Sequence, residues 1–143
     1  MGGLMLQISE AQFEAFNDIA EEKLQARFVA AFAQGWPDAA THKGLDELVH
    51  QGRERAAMLR LMDDAEVAVM VGLTGAAAGF DKAEAAQYQA NVEPHLEREG
   101  LSGSARLAFL ERALSRNAEK SDLAPRLLDL IQHMRAAFSA GAT

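Results

Sequence analysis

The segment MDDAEVAVMVGLTGAAAG, residues 62–79, decides the fold. Asp63 with Glu66 three residues later has the spacing of a capping box, in which each side chain satisfies a free backbone N–H at a helix start. Met62 and Val67 are spaced as a hydrophobic staple, so a helix is predicted to begin here. Val67, Val69, Met70, Val71 and Leu73 then leave it without a polar face, the pattern of a helix covered on every side. Gly72, Gly75 and Gly79 each cost about 1 kcal/mol relative to alanine in a helix interior, a cost that makes sense where a neighbouring helix backbone comes close. The reading is a central Gly/Ala-rich helix. Its apolar run, Val67 to Phe80, is too short for a membrane span.

Working towards the N-terminus, Leu45, Leu48, Val49, Gly52 and Ala56 keep helical spacing, with Asp46, Glu47, Arg53 and Arg55 on the other side. Before them, Ser9 with Gln12 forms another capping box and Ile8 with Phe13 another staple. Phe13, Phe16, Ala20, Leu24, Phe28, Ala31 and Phe32 continue as one apolar face until Gly35 and Pro37 stop the helix. Towards the C-terminus, Asp81 and Glu84 open a shorter helix through Tyr88 and Val92, which Pro94 bends or ends. Ser102 or Ser104 caps a helix carrying Leu107, Leu110, Ala113 and Leu114. Ser121 or Asp122 caps the last one, with Leu127, Leu130, Ile131, Met134 and Phe138, and Pro125 falls harmlessly in its first turn. No strand pattern, fixed repeat or low-complexity linker interrupts the series. The expectation is an all-α single domain over residues 1–143, a bundle of about five or six helices, with flexible ends at 1–7 and 140–143.

Composition narrows the function. The chain has 143 residues, 49% hydrophobic and 24% charged, the size and apolar content of one globular domain. Twenty-one acidic against fourteen basic residues give a formal net charge of -7, which argues against nonspecific binding to nucleic acid or anionic membranes, since both need a positive field. With no cysteine there is no disulfide framework and no thiolate metal site. The first residues lack the basic stretch and long apolar run of a secretory signal, so a cytoplasmic location is expected.

Catalytic groupings are missing. His42, His50, His95 and His133 lie in separate elements, and none belongs to an H-E-x-x-H pair. Gly100 to Ser104 departs from a nucleophile elbow, and the glycines of 72–79 are followed by no Lys-Ser or Lys-Thr pair of a phosphate loop. No catalytic, metal-binding or cofactor-binding residue is assigned. One charge pattern stands out: Glu10, Glu14, Asp18 and Glu22 are each four apart, an acidic ridge along one helix with Glu21 beside it. Like charges at this spacing repel by about 0.2–0.5 kcal/mol per pair. A solvated face is the commoner use of such a ridge, and docking of a basic partner the functional one. Trp36, the only tryptophan, is either a cover over the bundle end or an exposed anchor. Met58, Leu59, Leu61 and Met62, near a turn, form an apolar cluster whose adaptable methionines suit either a binding groove or core filling, the commoner use.

Several stretches also form a discontinuous pattern: Gln12-Phe13-Glu14-Ala15-Phe16, Phe28-Val29, Leu48-Val49 leading into Gly52-Arg53-Glu54-Arg55-Ala56, and the apolar helix ending Gly79-Phe80-Asp81. With these, the segment Ile8 to Asp81 resembles a family of small helical proteins encoded beside type VI secretion genes in Gram-negative bacteria. The resemblance implies an accessory role beside secretion spikes and their toxic effectors, as an adaptor, chaperone or immunity protein, and carries over no catalytic residues. The leading expectation is a noncatalytic protein-binding factor for a secretion effector or spike component. Its candidate partner-binding residues are Glu14, Asp18, Glu22, Trp36, Arg53 and Arg55, the two arginines serving equally well as structural ion-pair partners. Two other readings stay open: a small-molecule binder or enzyme with an interhelical pocket along the Gly-rich helix, and a structural homodimer.

Overall fold

A computed structural model describes residues 10–36 and 44–139. Their elements run α1 (Glu10–Gly35), α2 (Leu45–Met58), α3 (Asp64–Ala78), α4 (Lys82–Asn91), α5 (Glu93–Leu96), α6 (Gly103–Arg116) and α7 (Leu123–Ala137). The architecture is all-α, with no strand among the described residues. The capping box and staple read at Ser9, Gln12, Ile8 and Phe13 lie outside what is described.

The central helix is α3. Ala68 to Leu73 are all buried, and so are Gly75 and Ala76. Its main neighbours are α2 and α7, with α1 and α6 completing the cover. One apolar cluster draws residues from all seven helices, including Phe28, Phe32, Val49, Leu73, Leu96 and Met134.

The glycines of α3 are used differently from the expected close approach of backbones. Side chains fill the space at two of them: Met134 and Leu130 press on Gly72, and the Phe32 ring presses on Gly75. Gly79 is exposed and ends the helix. It is Gly52, on α2, that meets a backbone, because a Cβ there would stand 2.6 Å from the Cα of Val71. That contact lets α2 and α3 pack as a tight pair.

Local signals at the helix starts also resolve. Asp81 and Glu84 form the full reciprocal box, with Glu84 N–H donating to Asp81 Oδ1 at 2.8 Å and Asp81 N–H to Glu84 Oε1 at 3.1 Å. At α3 only half of the predicted box exists. Asp63 accepts the N–H of Ala65 at 2.7 Å, while Glu66 turns away to accept the Ser104 hydroxyl at 2.8 Å, tying α3 to α6. The predicted staple is absent, since Met62 is almost fully exposed. Ser102 caps α6 by accepting from Ala105 N–H. Ser121 rather than Asp122 satisfies the start of α7, accepting from Leu123 and Ala124 while donating to Gln87.

Helices α1 and α7 run antiparallel. The rings of Phe28 and Phe138 stack at 4.6 Å at one end of the pair, and Arg126 lies over Trp36 at the other. Between them His133 Nε2–H donates to the Ala31 carbonyl at 2.9 Å, a bond that places the imidazole proton on Nε2.

Candidate protein-docking surface

Helix α1 divides into two halves. From Leu24 onward it joins the core through Phe28, Ala31 and Phe32. From Ala11 to Lys23 every side chain that the structure describes is exposed. Glu14, Asp18 and Glu22 therefore form a continuous acidic ridge in water. Ala11, Ala15 and Ile19, also four apart, make a small apolar stripe directly beside it, and Ile19 is 50% exposed.

The two arginines of the candidate set face other work. Arg53 Nη2 donates to Glu21 Oε2 at 2.7 Å and its Nη1 to Gln25 Oε1 at 3.0 Å, with the guanidinium 5.3 Å over the Phe28 ring. It clamps α2 across α1 where the exposed half begins. Arg55, two residues further and so on another face, pairs with Glu93 at 2.7 Å and with Glu97 at 3.7 Å, fastening α2 to α5. Both arginines are half-buried struts between helices.

Trp36, read as a candidate anchor for a partner, is a core residue instead. It is 6% exposed, meets Phe80 edge-on at 6.4 Å, and is covered by Arg126 at 4.7 Å. Phe80 in turn meets Tyr88 edge-on at 5.6 Å, so one aromatic chain seals this end of the bundle. The structure thus keeps Glu14, Asp18 and Glu22 together on a free face and separates Trp36, Arg53 and Arg55 from them.

The cluster at the α2–α3 turn, where the sequence favours core filling over a binding groove, is in part a surface. Met58 is 78% and Met62 87% exposed, although both were expected in the core; of that group Leu61 is buried and Leu59 half-buried. The available signal was the cap at Asp63, which fixes Met62 just outside the helix.

No buried polar or charged residue and no group of three or more metal-ligating side chains occurs among the described residues. His50 pairs with the exposed Glu54 at 2.8 Å, His133 binds a backbone carbonyl, and His42 falls outside the described residues. At Gly72 and Gly75 of α3 the space beside the glycine is taken by Leu130 and Met134 and by Phe32, so no ligand pocket opens at these two positions. The small cavity beside Gln87, Asn91, Asn117 and Ser121 measures about 10 Å³, room for about one water. Burial raises the Tyr88 phenol well above its ordinary pKa, with Glu93 adding to the effect and Arg55 opposing it. The guanidinium of Arg135 is also shifted upward, chiefly by its hydrogen bonds to Glu111. Both serve packing. No described helix is long and apolar enough to cross a membrane. No family model, no curated protein and no solved structure matches this chain.

Proposed function

We propose that this is a noncatalytic binding protein that uses the exposed half of α1 to dock a protein partner with a basic surface. The observation that carries this reading is the pairing of charge with exposure. Residues 10–22 contain Glu10, Glu14, Asp18, Glu21 and Glu22 and no lysine, arginine or histidine. Every described side chain over Ala11 to Lys23 faces water. An acidic ridge of this kind steers a cationic partner by long-range attraction, weakened by salt, while Ile19 and the neighbouring alanines supply apolar contact. The resemblance to accessory proteins of type VI secretion supports a secretion effector or spike component as that partner. The role is then that of an adaptor, a chaperone or an immunity protein.

The test is site-specific photocrosslinking from position 19 in the producing cell, with crosslinked proteins identified by mass spectrometry. The reading expects a secretion component with a basic contact surface, and expects its yield to fall at least about tenfold in the Glu14→Lys, Asp18→Lys double variant. Equal yields from both forms, or no crosslinked partner, contradict it.

A further inference from the structure

The α2–α3 turn holds the two most exposed large apolar side chains of the described protein outside α1, Met58 and Met62. Between them Arg60 sits at φ +60°, a backbone conformation that few non-glycine residues adopt. A cleft of about 630 Å³ opens on either side of the turn.

The two clefts carry opposite charge. Arg60 and Arg106 line the one beside Met58, which has no carboxylate. Asp63, Asp64 and Glu66 line the one beside Met62, where the single cation, Arg135, is already held by both oxygens of Glu111. Neither Arg60 nor Asp64 has an ion-pair partner among the described residues. A uniformly basic or uniformly acidic partner would satisfy one cleft and be repelled by the other. The matching surface needs apolar groups flanked by both signs in reversed order, and the turn itself carries that order once rotated by half a circle.

We infer that two copies of this chain pair through their α2–α3 turns about a two-fold axis, Met58 of each against Met62 of the other and Arg60 of each facing Asp64 of the other. Such an interface is isologous, so each charge pair occurs twice. The residues of this contact, Met58, Arg60, Met62 and Asp64, are distinct from those of the acidic ridge on α1.

Sedimentation velocity over a concentration series at physiological salt tests the pairing. The wild-type mass should rise with concentration from 15.4 kDa towards twice that value. Arg60→Asp alone and Asp64→Arg alone should each raise the dissociation constant at least about tenfold, since each places like charges opposite one another twice. An equimolar mixture of the two variants should recover association close to wild type, because both crossed pairs then join opposite charges. Recovery also excludes misfolding as the cause of the loss. A monomer at all concentrations, a wild-type dimer indifferent to both reversals, or a mixture as weak as the single variants overturns the proposal.

Discussion

Gly52 shows how much one missing β-carbon can decide. Alanine at this position would place its Cβ 2.6 Å from the Val71 Cα and 3.3 Å from its nitrogen, and neither backbone atom can move without shifting α3. Gly52→Ala should therefore destabilise the protein by about 1–3 kcal/mol, the usual range for overpacking a tight site, read as a lower urea midpoint. The sequence marked small residues in both α2 and α3, yet periodicity alone does not say which of them faces a backbone and which a side chain. Tyr88 gives a second test at this scale. Its phenol is held above the ordinary value of 10.0 chiefly by burial, so the folded state keeps the proton that the unfolded chain releases. Its contribution is complete below a pH of about 10 and is lost as the pH rises above that towards the folded-state value. Denaturation between about pH 9 and pH 11 should show a stability decline that is shallower in Tyr88→Phe.

At the scale of elements, the helices were legible where a cap met a regular apolar period, as at Asp81 with Glu84 and along α6 and α7. The less legible features depend on tertiary partners. Glu66 had the spacing to complete a capping box at α3, but Ser104 of α6 offered its carboxylate a hydroxyl donor instead. Met62 had the spacing of a staple, but the chain between Leu59 and Asp63 turns so that Leu61 is buried and Met62 faces out. Trp36 carried two sequence readings, and Phe80 and Arg126, distant in sequence, decided for burial. The acidic ridge was fully legible, since four-residue spacing on a helix fixes a common face without any tertiary information. That the ridge lies on a half-helix outside the core was not, because the apolar positions of α1 repeat on both sides of Leu24.

Across the described molecule, the core and the proposed docking surface are kept apart. Every helix contributes to one apolar cluster, and the ion pairs of Arg53 and Arg55 fix α2 against α1 and α5 at its border. In the first half of α1, a segment about 14 residues long, every described side chain from Ala11 to Lys23 is exposed, Glu21 is held by Arg53, and like charges repel along one face. Isolated helices of that length are marginal in water, so this half should open far more readily than the half buried beside Phe32. Such an arm suits a docking element, which gains order and contact together when its partner arrives.

Amide hydrogen exchange along α1 of the free protein tests this division most directly. The account predicts little protection from residue 11 to about residue 20 and protection approaching that of global unfolding from Phe28 to Phe32. Uniform strong protection along the whole of α1 would mean that the acidic half is covered in the free protein, and would contradict its assignment as an open docking surface.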